Sequence, residues 1–460
     1  MQISNGPVVK YIRERLGLSQ ARFAELTGIP QHAISAFELD KASLSASQLA
    51  HIEQAVADTG KVAALANRKK RYQAHVYDRI EHDPVRIARH VQTPGNLEYL
   101  ELLSELHSRR VAAKHTALSL FSGCGGMSLG FNWAGFDIKG SVELNANLKA
   151  IYQANFPSSI DLGGDISTFK STAIEQALRK IGDVDLIIGG PPCQGFSLSG
   201  KRDVNDPRNS LFFHYLRFVD VFRPKVAVLE NVRLLTSMKS PDGSLVRDQI
   251  VHEFAARGYR ASLHEVNAKD YGVPQHRERA FFVATRLDLN VKPLFPIPKH
   301  GKNGPNLFDG LSPCRTFADA CSDLPFLESG EQSADPLHAA VSHPKHNIEW
   351  LWDVAEGCSA HDNTDPALRP PSGYNTTYKR QVWSEPGATV QTTFGMISGC
   401  RNVHPVATRA LTIREAARLQ SFPDDFVFKG TLGAIRTGIG NAVPPLLAYQ
   451  IASSIASELL

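Results

Sequence analysis

The chain has 460 residues, 42% hydrophobic and 21% charged, enough for two or three domains with cores of their own. No stretch approaches the ~18–20 uninterrupted apolar residues of a membrane span, and the opening MQISNGPVVKYIRERLGLSQ lacks the apolar core of a secretory signal, so a cytoplasmic protein without membrane contact is expected. A net charge of +4 excludes nothing by itself, while six cysteines (Cys124, Cys193, Cys314, Cys321, Cys358, Cys400) without a CxxC pair disfavour a zinc site or a disulfide framework.

Residues 7–58 read as short helices in quick succession. In SQARFAELTGIPQHAISAFE one helix breaks at Gly28 and a second begins near Pro30. Ser19 is placed to cap the first, and Pro30 sits near a first turn, where its missing N–H costs nothing. Phe23, Ala24, Leu26, Ile29, Ile34 and Phe37 are expected to form a small core, closed by Leu49, Ile52 and Val56 from a further helix. Such a packet can be a mere packing module. The ordered pattern from Leu16 to Glu38 nevertheless resembles the helix-turn-helix of phage repressors. That resemblance implies that residues early in the second helix face the major groove of DNA. Here they are Gln31, His32 and Ser35, with Gln20 at the start of the first helix near the phosphates.

From 59 to 115 the chain is polar and helical, interrupted at Pro84 and Thr93-Pro94-Gly95, and reads as a connector. Residues 61–115 carry eleven Lys/Arg against six Asp/Glu, including the knot Arg68-Lys69-Lys70-Arg71. Phosphate contact and a solvated helix face are both open for that knot.

Beyond Ala117, apolar runs alternate with helical stretches: ALSLF, FDIKGSVEL, DVDLIIGG, KVAVLENV, YRASLHEV, AFFVAT. This order predicts an α/β domain with a doubly wound, mainly parallel sheet and helices on both faces. Around 287–400 the alternation gives way to a Pro-, Gly- and polar-rich region, and helical signals return at LTIREAARLQSF and PPLLAYQIASSIASEL. One α/β domain formed by 116–289 and 404–460, interrupted by an irregular insertion at 290–403, accounts for the order.

The first strand ends in Phe121-Ser122-Gly123-Cys124-Gly125-Gly126, a glycine-rich turn that lets a ligand approach the backbone. It is neither GxGxxG nor a P-loop, so a phosphate cradle is not supported. Glu143 ends the second strand, where a carboxylate can accept from ribose hydroxyls. Asp165 and Ile166 follow a third short strand, and Asp165 suits the amino group of an adenine. In that order these residues describe an adenosine pocket. Next comes Gly190-Pro191-Pro192-Cys193-Gln194-Gly195-Phe196-Ser197, after the strand DVDLII. A lone cysteine is usually a small buried hydrophobe, but flanking prolines and glycines make a stiff loop able to present its sulfur.

With these motifs in family order, the segment from Thr116 to Leu460 resembles the DNA cytosine-C5 methyltransferases. The resemblance implies that Cys193 is the nucleophile and that Glu230, in Leu229-Glu230-Asn231-Val232, contacts the ring nitrogen beside the amino group. It implies that Arg277 and Arg279, in Gln275-His276-Arg277-Glu278-Arg279, complete the base pocket. Phe121, Glu143, Asp165, Pro192, Leu211 and Asn441 match positions around S-adenosylmethionine, and the glycines Gly123, Gly125 and Gly126 form the turn beside it. Leu144 stands where many relatives carry an aromatic residue. Double-stranded DNA is the implied partner. The run from Phe196 through Ser197 to Arg202 would close over a flipped base, and Thr389-Val390 resembles the element near the end of the recognition domain. Tyr378, Lys379 and Arg380 are further candidates for DNA contact, and no metal is expected.

The chemistry requires these residue types. A thiolate adding to cytosine C6 makes C5 nucleophilic, and a carboxylic group at N3 meets the charge that develops. Arg277 and Arg279, two apart on a strand, would share one face while Glu278 points away. A transfer-RNA methyltransferase of the same fold and a regulator with an inactive enzyme fold are the competing readings. The helix-turn-helix favours DNA, and the complete set Cys193, Glu230, Arg277, Arg279 favours activity. The small domain is expected to bind an operator, as a dimer, at the protein's own promoter, with the enzyme acting on its methylation target as a monomer.

Overall fold

In the computed structural model the described residues are 6–15, 18–39, 41–56, 89–109, 111–192, 211–240, 243–289, 291, 295–301 and 310–459. They form two units, one drawn from residues 1–97, 321–383 and 395–412, the other from 98–320, 384–394 and 413–460.

All six apolar runs of the sequence enter one sheet of the second unit. Its strands are β1 (His115–Leu120), β2 (Phe136–Val142), β3 (Ile160–Gly163), β4 (Leu186–Gly189), β5 (Val226–Val232), β6 (Tyr259–Asn267) and β7 (Glu278–Arg286). They lie in the order β3-β2-β1-β4-β5-β7-β6. The first five neighbours run parallel, whereas β7 is antiparallel to both β5 and β6. Leu186, Ile187 and Ile188 of β4 are wholly enclosed, as expected of a central strand covered on both faces.

The covering helices show why. Ser171–Ile181 buries Ile174, Ala177 and Ile181, and Leu211–Phe222 buries Tyr215, Leu216, Phe218, Val219 and Phe222, each set spaced to form one stripe. Together with Leu118, Leu120, Ile187 and Phe282 they make the main core. The Tyr215 hydroxyl donates to the carbonyls of Ile187 and Val228 at 3.1 and 3.2 Å, so even its polar tip is satisfied. On another helix pair, Gly126–Trp133 meets Pro445–Leu459 backbone to backbone: a Cβ on Gly130 would fall 2.5 Å from the Tyr449 nitrogen. Strand order reverses between β1 and β4, and it is at the carboxyl ends beside such a reversal that open α/β sheets bind ligands.

Thr93-Pro94-Gly95, read from sequence as an interruption, opens the helix Pro94–Ser108. Thr93 Oγ1 accepts from the Asn96 amide at 3.1 Å, and proline is suited to a first turn. Tyr99, Leu103 and Leu106 of this helix are buried, and the Tyr99 hydroxyl donates to the Arg418 carbonyl at 2.7 Å.

In the first unit, helices α1 (Gly6–Arg15), α2 (Gln20–Thr27), α3 (Gln31–Glu38) and a helical run at 46–56 build the expected packet. Ser19 caps α2 by accepting from the Arg22 amide, and Gly28 ends it in the left-handed region at φ 68°. Phe23, Ile29, Ile34, Phe37, Ile52 and Val56 are buried as expected, but Leu26 is 39% exposed. Thr27 occupies the inward position one turn after Phe23 and donates its hydroxyl to the Phe23 carbonyl at 2.8 Å. A buried ion pair braces the packet: Arg13 Nε and Nη2 meet the two Glu38 oxygens at 2.6 and 2.9 Å.

The same unit has a second apolar cluster, of Leu351, Val354, Ala360, Ile397, Val403 and Ala410. Among the described residues no helix is long and apolar enough to cross a membrane.

Candidate active site

The carboxyl ends of β1, β2 and β3 hold one half of the site. Phe121 leaves β1 at φ 53°, a conformation that L side chains rarely adopt. Gly123 and Gly125 follow at φ 56° and 102°. At Gly125 a side chain is excluded twice over, because a Cβ would also come 2.6 Å from the Phe156 ring. Gly126 opens the helix Gly126–Trp133. The turn is held from below by Glu143, whose Oε2 accepts from the Gly123 amide and whose Oε1 accepts from the Asn145 amide, both at 2.8 Å.

Asp165 caps the short turn Ile166–Thr168. Its Oδ1 accepts from the Ser167 amide and hydroxyl at 2.9 and 2.6 Å, and the hydroxyl bond is the main reason its pKa is lowered. Oδ2 remains for a further donor. Ile166 is buried and Leu211 half-buried, while Pro192 and Asn441 are exposed, Asn441 ending the helix Leu432–Asn441.

The carboxyl ends of β4 and β5 hold the other half. Glu230 lies opposite Phe281 in the β5–β7 ladder, and Arg279 lies opposite Val232. This diagonal puts both charged side chains on one face. Arg279 Nε donates to Glu230 Oε1 at 2.8 Å, with the side chains 14% and 12% exposed. Glu230 Oε2 turns toward Gly190, where a Cβ would stand only 2.8 Å away, so only glycine leaves that oxygen room. Burial pushes the Glu230 pKa up, and the nearby Arg279 charge only partly opposes it. The carboxyl is thereby disposed to hold a proton. Glu278 faces away as expected and accepts from Arg233 at 3.0 Å.

Arg277 is fully buried and differently engaged. Its Nη1 donates to the Val390 carbonyl at 3.0 Å and its Nη2 to the Gly440 carbonyl at 2.9 Å. Of the two guanidinium groups, Arg279 is the one on Glu230. Thr389 donates its hydroxyl to the His276 carbonyl at 2.5 Å.

Sequence reasoning gave no role to Gln275, which is fully buried here. Its Oε1 accepts from the Val390 amide at 2.8 Å, and its Nε2 donates to Leu419 O and Gln420 Oε1 at 3.0 Å. An uncharged residue inside an arginine-rich motif carries no charge signal of its own. Its place two residues before Arg277 is the only hint.

Cys193, Ser197 and the knot Arg68-Lys69-Lys70-Arg71 lie outside the described residues. Arg380, expected as a candidate for DNA contact, is instead 3% exposed. Its guanidinium donates to the carbonyls of Leu351, His404, Val406 and Ala407 and to Thr408 Oγ1. Those backbone acceptors enclose the charge and leave none of it for phosphate. Tyr378 packs edge-on against Trp350, with ring centroids 5.5 Å apart, and Lys379 is half-buried. In the small helical packet Gln31 and His32 are exposed and Ser35 half-buried. Gln20 donates to Glu38 Oε2 at 2.7 Å, joining the buried ion pair. Among the described residues no group of His, Cys, Asp and Glu could hold a metal ion.

Comparison with known proteins identifies the family. Residues 9–55 match a helix-turn-helix family, and residues 115–457 match the C-5 cytosine-specific DNA methylases. The chain is 39% identical over 346 residues to the Type II methyltransferase M1.HphI of Haemophilus parahaemolyticus, covering 74% of this chain and 86% of that one. It is 34% identical over 380 residues to the Type II methyltransferase M.DdeI of Desulfomicrobium norvegicum, covering 74% and 88%. A solved E. coli structure, described as a DNA modification methyltransferase encoded within a prophage, superposes with a TM-score of 0.59. It shares 27% identity and covers 75% of this chain and 99% of that one. A family match over residues 115–457, added to the sheet and its two half-sites, settles the assignment: the chain belongs to the C-5 cytosine-specific DNA methylase family and carries an N-terminal helix-turn-helix domain.

Proposed function

We propose that the protein is the cytoplasmic modification enzyme of a restriction–modification system, methylating C5 of a flipped-out cytosine within a specific duplex sequence. The observation that carries this reading is the Glu230–Arg279 pair, 2.8 Å apart and beside Gly190, where the chain enters Pro191-Pro192-Cys193. S-adenosylmethionine fits the other half-site: Glu143 offers a fixed carboxylate for ribose hydroxyls and Asp165 a free Oδ2 for the adenine amino group. When bound, it supplies an electrophilic methyl group on sulfur. No metal is required.

The roles follow from the chemistry. Cys193 adds as a thiolate to C6. Glu230, whose pKa burial raises, gives a proton to N3 as that charge develops, and Arg279 holds both Glu230 and the base carbonyl O2. With C5 thereby made nucleophilic, it takes the methyl group as the S–CH3 bond of the donor breaks, and the donor leaves as S-adenosylhomocysteine. Loss of the C5 proton to a base then expels Cys193 as thiolate, and return of the N3 proton to Glu230 restores the neutral ring. Ser197 and Thr389 are assigned to DNA beside the flipped nucleotide.

Residues 1–58 are assigned to an operator at the protein's own promoter, read by Gln31, His32 and Ser35 from a dimer, while methylation proceeds from a monomer. The exposure of Gln31 and His32 at the start of α3 supports this.

Bisulfite sequencing of DNA from cells expressing wild type or Cys193→Ser tests the enzyme and reveals its site. Methylated cytosines at one sequence with wild type, and none with the variant, are expected. No methylation by wild type would overturn the reading, and full methylation by the variant would overturn the nucleophile.

A further inference from the structure

We propose that Arg277 is a positioning residue that makes methyl-donor binding and target-DNA binding mutually dependent. The proposal rests on the function proposed above. Both η nitrogens of Arg277 are committed to backbone carbonyls, Val390 at 3.0 Å and Gly440 at 2.9 Å, and the residue has no exposed surface. Nε, equally buried, has no hydrogen-bond partner. Contact with the base falls to Arg279, which already meets Glu230.

The two carbonyls are neighbours of ligand residues. Val390 directly follows Thr389, assigned to DNA, and Gly440 directly precedes Asn441, assigned to the methyl donor. One guanidinium therefore grips both sides of the reaction from a position two residues before the base-pocket arginine.

The surroundings leave little slack. The Val390 amide donates to Gln275 Oε1 at 2.8 Å, so both backbone polar groups of Val390 are held by side chains two residues apart. Gln420 Nε2 donates to the Ile439 carbonyl at 2.5 Å, pinning the residue before Gly440. Gly440 itself touches the 391–392 backbone, since a Cβ there would lie 2.6 Å from the Gln391 carbonyl carbon. A guanidinium is a rigid planar fork, and its charge-assisted bonds are strong in a dry interior. Displacing one carbonyl turns the plane and disturbs the bond to the other. A ligand that settles one segment thereby favours the arrangement needed by the second ligand, and the effect is reciprocal.

The test uses the full-length protein, S-adenosylhomocysteine as the probe, and a duplex carrying the sequence found by bisulfite sequencing. DNA affinity is measured with and without the probe. Wild type is expected to bind DNA about tenfold more tightly with it, within the common range for coupled sites. In Arg277→Lys, whose ammonium cannot reproduce the fork, the ratio should fall to within about twofold of one. Affinity for each ligand alone is measured beside it, so that loss of coupling is separated from loss of binding. Gly440→Ala, which separates the same segments without altering charge, should also lower the ratio, and it decides the matter if the lysine variant does not fold. A wild-type ratio near one, or variants that keep the wild-type ratio, would overturn the proposal. So would a parallel loss of both single-ligand affinities with the ratio preserved, which would leave Arg277 a structural staple only. Absence of wild-type methylation, by contrast, would overturn the functional reading itself.

Discussion

Glu230 and Arg279 sit on adjacent antiparallel strands, two residues out of register, and close a 2.8 Å ion pair on one face of the sheet. Burial and the arginine act on the carboxyl in opposite senses. Burial is the larger influence and raises the pKa, while the guanidinium lowers it. The proton on Glu230 is therefore retained to a higher pH than on an ordinary glutamate. Arg279→Met removes the larger lowering influence and leaves the smaller one of Arg277, so the pKa should rise further. Infrared difference spectra, with Glu230→Gln to identify the band, would follow the carboxyl directly. A band that titrates at a lower pH in the methionine variant would refute the account.

Asp165 offers a cleaner probe of the methyl-donor pocket than truncation. Asp165→Asn keeps Oδ1 for Ser167 but replaces Oδ2 with an NH2 donor, which opposes the adenine amino group. Affinity for S-adenosylhomocysteine should fall by about 1.5–3 kcal/mol, with little change in DNA affinity. The analogue carrying inosine, which presents a carbonyl instead of the amino group, should lose its disadvantage. Calorimetric titration that finds both affinities unaltered would place the adenine elsewhere.

Arg380→Met should destabilise the protein by about 3 kcal/mol or more, because several buried acceptors lose a charged donor together. Denaturant unfolding measures this. Unchanged unfolding together with weakened DNA binding would restore Arg380 to a DNA-contact role.

Gln31→Ala with His32→Ala should weaken operator binding by about 1–3 kcal/mol and leave methylation of target DNA intact. Gel shifts on promoter fragments, run beside methylation assays, separate the two. A parallel fall in methylation would make the small domain part of the enzyme's own grip on DNA.

The strands of the sheet were legible because buried parallel strands must be continuous apolar runs, as LIIG and VAVL are. The acidic residues at strand ends were legible because the crevice of such a sheet lies there. What the sequence concealed depends on contacts distant in the chain. Leu26 lies outside because Thr27 can satisfy its own hydroxyl within the helix and so tolerate the buried place. Arg380 looks like any surface cation until the carbonyls of 404–407 are brought around it. The difference between Arg277 and Arg279 is invisible in Arg-Glu-Arg, since it arises from a strap and a helix more than a hundred residues away.

The backbone contact at Gly130 also has a consequence for synthesis. The helix that bears Gly130 packs backbone to backbone on Pro445–Leu459, more than three hundred residues later. The sheet unit thus cannot complete its packing on the ribosome until the helix Pro445–Leu459 has emerged, and contacts of such separation form slowly. The helices α1, α2 and α3 pack on one another at short sequence separation, which favours their early folding. A nascent chain would thus carry a finished DNA reader well before it carries a working methyltransferase.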